Sequence, residues 1–222
     1  MRFVCWLWRG RGFWKSVATY GPEHVAVLAS MLERHGGHRL TCVHDGSFEM
    51  PAGVDAIVMP ESVAALPEYQ PKLWAWSPQF QERIGERFTS IDLDVVILGD
   101  LASLLATKLP IRLWNGAIGE PYNTSLFTLE PSHGQDVWTT LDQERLRRAR
   151  ENASYWTGDQ SWVAHVLGPS MPAFGEDSGV VRYVRKLHRG WMPKGILAAF
   201  FCGPFCPNTE RDHSEWVRQN WH

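Results

Sequence analysis

Three observations in the sequence predict an α/β fold that starts with parallel strands. A short run of β-branched, aromatic and other apolar residues, 3–8, ends at an Arg/Gly-rich stretch, as a buried first strand does. A segment with apolar residues at helical spacing follows at 24–35, and two further strand-like runs lie at 40–44 and 56–59. Strand, helix, strand and strand in this order favour a doubly wound sheet, because parallel neighbours need a covering connection between them.

The individual elements are bounded by residues that break regular structure. Pro22 opens the first helix and Gly36 ends it, whereas Gly46 and Pro60 stop the second and third strands. The strongest strand candidate, 91–98, carries a continuous apolar run of the kind found in buried strands. The other expected elements are helical or turn-like at 80–88, helical at 101–105, 135–152 and 159–167, and strand-like at 112–114, 125–129 and 180–184.

The composition is that of a folded globular protein, with 44% hydrophobic and 21% charged residues. The chain has 222 residues and no repeat or linker, so a single domain, 1–222, is expected. A net charge of -2 gives no general attraction to nucleic acid or to an anionic membrane. The four cysteines form no Cys-x-x-Cys pair, residues 1–8 lack the pattern of a signal peptide, and no apolar run reaches spanning length. These features predict a cytoplasmic protein with reduced thiols and no membrane span, and they leave the oligomeric state open.

The segment Asp92-Leu93-Asp94 is the strongest candidate for chemistry. In a strand, residues two apart point to the same side, so the two carboxylates are expected to project together. They repel each other unless a cation lies between them, and hard divalent cations take such oxygen ligands while keeping places for phosphate. The alternative is a strand edge with two solvated acids, which the adjacent apolar run disfavours.

Residues 91–101 resemble the "DLDVVILGDL" segment of glycosyltransferases similar to family 8, with its DxD motif. Further stretches are similar to that family in the expected order, namely 8–32, 41–45, 72–74, 122–125 and 158–160. The resemblance implies a GT-A type fold, a Rossmann-like mixed sheet flanked by helices. It also implies a retaining transfer from a nucleotide-diphosphate sugar, most often a UDP-sugar, with Mn²⁺ or Mg²⁺, to an acceptor that is a glycan, a protein or a small molecule.

The resemblance also implies roles for individual residues. Asp92 and Asp94 would hold the metal, with Leu93 between them at the donor, and Lys72 would neutralise phosphate or sugar hydroxyl charge. The residues that would face the donor sugar as the catalytic set are Asn123, Asp159 and Gln160. The residues that would border the nucleoside or the diphosphate are Trp6, Trp8, Asp45 and Gly203.

Most of these residues also have a structural interpretation. Lys72 is equally well explained as a surface lysine, Asn123 as a residue that shapes a turn, and Asp159 as the cap of the helix after it. Trp6 and Trp8 are better explained as core residues than as ligand contacts.

The late loop of the chain, 201–207, departs from the family pattern of a His, a Gly and then Lys-Pro. Gly203 and Pro207 match, but Phe200 or Cys202 stands in place of the metal-binding His and Cys206 in place of the Lys. The loop therefore lacks the His and the Lys with which the family binds the metal and the diphosphate. The available substitutes are His188 or His213 as a ligand, and half of a zinc site from the two cysteines is a weaker alternative.

Two further functions stay open at this point. The altered loop motivates a catalytically silent member of the same fold that binds a glycan or protein. The basic cluster 145–150 motivates sugar modification of nucleic-acid bases, although a solvated helix face explains the same residues better. No Gly-x-Ser-x-Gly elbow and no complete dinucleotide fingerprint is present, so a nucleophilic hydrolase and a Rossmann dehydrogenase are disfavoured.

Overall fold

The strands in the described part of the chain form two sheets. The structure, a computed structural model, describes residues 2–9, 20–116, 121–152, 158–183, 194–201 and 206–222. Within these ranges a larger sheet has the order β3-β2-β1-β4-β7-β6-β8 and a smaller one the order β5-β10-β9. The strands are Arg2–Leu7 (β1), Arg39–His44 (β2), Asp55–Val58 (β3), Phe88–Ile91 (β4), Val95–Ile97 (β5), Ile111–Trp114 (β6), Asn123–Leu129 (β7), Ala173–Phe174 (β8), Val180–Arg182 (β9) and Ala198–Phe200 (β10).

The helices are mostly short and connect these strands. The α-helices are Pro22–Arg34 (α1), Glu61–Ala64 (α2), Pro78–Ile84 (α3), Ala102–Leu105 (α4), Asp136–Thr139 (α5), Gln143–Asn152 (α6), Gly158–Leu167 (α7), Pro207–Glu210 (α8) and Glu215–Asn220 (α9). The described residues also include 3₁₀ helices at Gln70–Trp76 and Glu176–Ser178. In the described ranges no helix is both long enough and apolar enough to cross a membrane.

The larger sheet is mixed. Strands β1, β2 and β3 are parallel to one another, and β4 runs parallel to β1 on its other side. Strand β7 is antiparallel to both β4 and β6. The predicted α/β class, a mixed sheet flanked by helices with a parallel start, is confirmed.

Alternate residues of β1 divide the core into two layers. Phe3 and Cys5 pack with the apolar side of α1 and with the smaller sheet. Val4 and Trp6 point to the opposite face and pack with residues of the 3₁₀ helix 70–76, α3 and α7. The large sheet is therefore covered on both faces, as the unbroken apolar sequence of β1 requires.

Two predicted elements are each divided in the structure. The strand expected at 91–98 is wrong as one element, because the chain leaves β4 after Ile91, crosses to the smaller sheet and enters β5. The helix expected at 135–152 is also two helices. The hydroxyl of Thr140 bonds to the carbonyl oxygen of Asp136 at the end of α5, and the Asp142 carboxylate accepts the backbone N–H of Arg145 and so starts α6.

His24 links α1 to the C-terminal residues and makes the stability of this region depend on pH. Its ring is 5% exposed and lies 5.8 Å from that of Trp221, and its Nδ1 accepts the backbone N–H of Gly21. The Glu23 carboxylate also lies 3.1 Å from Nδ1, but it is largely exposed, so solvent screens its charge. Burial lowers the pKa of His24, and this outweighs the opposing effect of Glu23.

We expect the free energy of unfolding to fall as the pH drops below about 6.5, the ordinary pKa of histidine. The unfolded chain then takes up a proton that the folded protein accepts only at lower pH, so this stability is present above that pH and is lost below it. Replacing His24 with Asn should flatten part of the fall in urea unfolding measured at several pH values. His213→Asn, at an exposed histidine, is the control, and equal pH slopes for the His24 variant and the unmodified protein would contradict the assignment.

Candidate active site

The site is built where the chain passes from the larger sheet to the smaller one. The backbone N–H of Asp92 donates to the carbonyl oxygen of Ser125, so the ladder between β4 and β7 extends one residue beyond β4. Two residues later, the carbonyl oxygen of Asp94 accepts the N–H of Phe201, which directly follows β10. Residues 92–94 are thus fixed to both sheets, with Leu93 buried between the two aspartates.

Lys72 lies beneath the surface against the first aspartate. Its Nζ is 2.9 and 3.1 Å from the two carboxylate oxygens of Asp92, and 3.4 Å from an oxygen of Asp159. The residue is 6% exposed, which excludes the surface-lysine interpretation. Burial lowers the pKa of Lys72, but the nearby carboxylates, Asp92 first, outweigh it, so the net pKa lies above its usual value and the ammonium stays charged.

Asp159 joins the cluster from the first turn of α7. Its carboxylate accepts the hydroxyl of Thr124 at 2.6 Å and is 2% exposed. These contacts direct the carboxylate toward β7 and Lys72. The structure therefore brings Lys72, Asp92 and Asp159 together from three separate segments of the chain.

Asp94 differs from Asp92 because one of its oxygens is unsatisfied. Its Oδ1 is buried and has no hydrogen-bond partner among the described residues. Burial first, and then the negative charge of Asp92, raise the pKa of the Asp94 carboxyl well above its usual range, although Lys72 opposes this. A buried carboxylate oxygen without a partner, beside a second carboxylate, is the arrangement that a bound cation would relieve.

Asp92 and Asp94 are the two residues available to the predicted metal site. Within the described ranges, no cluster of three or more His, Cys, Asp or Glu side chains is arranged to hold a metal ion. Two carboxylates fit a hard divalent cation that takes its other ligands from water and phosphate. The prediction that both side chains project from one strand is wrong, because residues 92–94 lie outside any strand. The two aspartates are nevertheless close enough for the charge of Asp92 to raise the pKa of Asp94.

The other predicted sugar-facing residues flank the cluster. Asn123 begins β7, is 6% exposed, and its amide oxygen accepts the backbone N–H of Ser125 at 2.8 Å. This bond agrees with the interpretation that Asn123 shapes the local backbone. Gln160 is half-buried next to Asp159. Direct contact of either residue with a sugar stays a prediction.

The residues predicted at the nucleoside lie at the ends of β1 and β2. The indole N–H of Trp6 donates to the hydroxyl of Ser90, and Trp6 packs in the core, whereas Trp8 is half-buried. The Asp45 carboxylate accepts the backbone N–H of Arg9 at 2.8 Å. Burial would raise the pKa of Asp45, but hydrogen bonds from Arg9 and Ser47 outweigh it, so the pKa lies below its usual value.

The altered late loop is only partly described. Gly203, Cys202 and His188 lie outside the described residues. Phe200 is fully buried in β10, with its ring 4.7 Å from that of Trp114, so it offers no ligand. The buried thiol of Cys206 lies 3.2 Å from the Thr209 hydroxyl.

The remaining candidate ligand in place of the missing histidine is His213. His213 lies exposed in the turn between α8 and α9.

In the basic cluster 145–150, Arg147 and Arg148 both form ion pairs with Glu144, and all three are exposed. This agrees with a solvated helix face.

Two residues of the cluster were missed by sequence reasoning. Thr124 follows Asn123 directly, but nothing in its local sequence indicates that it donates to Asp159, 35 residues away. Tyr69 lies three residues before Lys72; burial first, and then the charge of Asp159, raise the pKa of its phenol. A tyrosine one 3₁₀ turn from a functional lysine is the only sequence signal that could have identified it.

No protein-family model and no curated protein sequence matches this chain. Among solved structures, it is similar to the galactosyltransferase LgtC in complex with donor and acceptor sugar analogues, with a TM-score of 0.61 and 14% identity over 100% of this chain and 97% of that one. An active-site mutant of LgtC gives a TM-score of 0.61 and 13% identity, over 99% of this chain and 93% of the mutant.

The glycosyltransferase GlyE of Streptococcus pneumoniae TIGR4 is also similar. It gives a TM-score of 0.60 and 12% identity, and 99% of this chain covers 60% of its length. The described architecture therefore matches the GT-A glycosyltransferase fold of LgtC.

Proposed function

We propose that the chain is a glycosyltransferase that moves a sugar from a nucleotide-diphosphate sugar, a UDP-sugar in the first instance, to an acceptor. The unsatisfied buried oxygen of Asp94, beside Asp92, carries this proposal because it calls for a cation at the point where a diphosphate would bind. The GT-A fold supports it, since a galactosyltransferase has the same fold. The proposal includes retention of the anomeric configuration of the sugar only because of the family resemblance.

In this proposal Asp92 and Asp94 hold Mn²⁺ or Mg²⁺. A bound cation would stabilise the negative charge that develops on the leaving diphosphate. Lys72 keeps its positive charge beside Asp92 and Asp159 and so limits the repulsion among the carboxylates. Asp159, whose carboxylate accepts the Thr124 hydroxyl, would face the donor sugar together with Gln160 and Asn123.

The experiment that tests the proposal is a thermal melt with nucleotides and metal. At a ligand concentration of about 100 times Kd, binding stabilises the folded protein by roughly 2.7 kcal/mol. For a domain of this size each kcal/mol raises Tm by about 2–4 °C, so a rise on the order of 5–10 °C is expected. The probes are UDP, GDP and their hexose derivatives, each with Mn²⁺ or Mg²⁺.

Metal alone and nucleotide with a chelator are the controls for this melt, and neither should reproduce the full rise. A flat melt with every nucleotide and both metals contradicts the proposal. A rise without hydrolysis of the donor, or transfer from it, would instead favour a catalytically silent member of the fold. Phe200 is one of the two positions that the family pattern gives to the histidine ligand, and its fully buried side chain is the observation that keeps this second candidate open.

A further inference from the structure

Tyr69 stands at the start of the 3₁₀ helix that carries Lys72. Its carbonyl oxygen accepts the backbone N–H of Lys72 at 3.2 Å, which is the i to i+3 bond of a 3₁₀ turn. In this geometry side chains three residues apart lie above one another on the same face. The side chain of Tyr69 is therefore on the face of the helix that also carries Lys72.

The two side chains differ sharply in exposure. Lys72 is 6% exposed, whereas Tyr69 is 38% exposed, one of the few large apolar side chains at this level in the described residues. Glu68, directly before it, has a φ of 53°, a left-handed conformation that side chains other than glycine rarely adopt. The backbone is therefore strained at Glu68, directly before the exposed ring of Tyr69.

The charges of the candidate site act on the phenol of Tyr69. Burial first, then the charge of Asp159, and to a lesser extent those of Asp92 and Asp94, raise the pKa of Tyr69, while Lys72 opposes them. The hydroxyl consequently stays protonated at neutral pH and is a hydrogen-bond donor. Among the charged residues near the phenol, Asp159 acts most strongly, and it is the residue directed toward the sugar in the proposed function.

We propose that Tyr69 is a specificity-determining residue that contacts the hexose of the nucleotide-sugar donor; this rests on the proposed function. The face of an aromatic ring suits the apolar C–H face of a pyranose, and the protonated hydroxyl suits a sugar hydroxyl. A diphosphate needs cations or N–H donors instead. Tyr69 lies one 3₁₀ turn from Lys72, whose Nζ is 3.4 Å from the Asp159 carboxylate, and among the carboxylates of the site Asp159 acts on the phenol most strongly. These observations favour the sugar over the diphosphate.

Calorimetric titration of the full chain in the presence of Mn²⁺ tests this inference. The probes are UDP, UDP-glucose, UDP-galactose, GDP and GDP-mannose, and the variants are Tyr69→Phe, which removes the hydroxyl, and Tyr69→Leu, which removes the ring. We expect Tyr69→Leu to weaken the nucleotide-sugar about tenfold and the free nucleoside diphosphate less than twofold, in the range of an aromatic contact. Tyr69→Phe should weaken the nucleotide-sugar about threefold and change the ratio of affinities for the two UDP-hexoses.

Leu109→Ala is the matched control. Leu109 is 42% exposed, and its neighbour Pro110 contacts Glu130 beyond the far end of β7, so this change should leave every affinity unaltered. An equal loss of affinity for free diphosphate and nucleotide-sugar would place Tyr69 at the diphosphate and overturn the inference, as would unchanged affinities in both Tyr69 variants. If the unmodified protein binds none of the probes, the proposed function itself fails, and this inference fails with it.

Discussion

Asp94→Asn is expected to raise the Tm of the metal-free protein and to abolish the further rise caused by Mn²⁺ with a nucleoside diphosphate. The substitution keeps the shape of the side chain but removes a buried negative charge that lies near Asp92. Lys72 attracts this charge, yet burial and Asp92 outweigh the attraction. Removing the desolvation penalty of such a charge stabilises a protein by about 1–3 kcal/mol, or roughly 2–12 °C here.

The same substitution removes one of the two proposed protein ligands of the cation. An amide is a poorer ligand for Mn²⁺ than a carboxylate, and with only Asp92 left the affinity should fall below the level at which a shift is seen. Opposite changes in intrinsic stability and ligand response are the signature of a residue retained for function. Differential scanning calorimetry with and without Mn²⁺ and UDP measures both changes.

Asp100→Asn is the matched control for this experiment. Asp100 is 58% exposed, follows the same segment, and its carboxylate accepts the backbone N–H of Ala102, a role that asparagine fills equally well. Its Tm and its response to ligand should stay close to those of the unmodified protein. A destabilised Asp94→Asn variant that keeps the full ligand response would remove Asp94 from the proposed metal site.

The first part of the fold could be predicted from the sequence because it is set by local patterns. β1, α1, β2 and β3 each have the apolar period and the terminating Gly or Pro residues that define them. The division at 91–98 could not be predicted in this way, since an apolar run has the same appearance whether it pairs with β7 or with β10. In contrast, the break before α6 had a readable signal, the capping residue Asp142.

The candidate site was predictable only where its residues are neighbours in the chain. Asp92 and Asp94 share one short motif, so their proximity follows from the sequence itself. The ion pair from Lys72 to Asp92 spans 20 residues, and the bond from Thr124 to Asp159 spans 35, so both depend on packing that local patterns do not encode. The burial of Lys72 distinguishes a site residue from a surface lysine, because a lysine in the core needs charged partners and a surface lysine does not.

Lys72→Met is expected to lower the Tm of the metal-free protein by on the order of 10 °C. Removing one partner of a buried ion pair costs about 3–5 kcal/mol, and here the loss leaves Asp92, Asp159 and the nearby Asp94 without a compensating cation. Because a divalent cation would then supply the missing positive charge, we expect Mn²⁺ to recover part of the lost Tm. The recovery should be larger than the effect of Mn²⁺ on the unmodified protein.

A second substitution separates the charge effect from the loss of packing. In Lys72→Met with Asp159→Asn, one of the uncompensated carboxylates is removed, so the double variant should be less destabilised than the sum of the two single changes. Lys108→Met, at an exposed lysine, should change Tm by no more than about 2 °C, as surface substitutions do. Additive losses in the double variant would mean that Lys72 and Asp159 do not interact. A Lys72→Met loss as small as that at Lys108 would mean that the cluster of charges does not depend on its lysine, and the balance of charge proposed for the site would have to be abandoned.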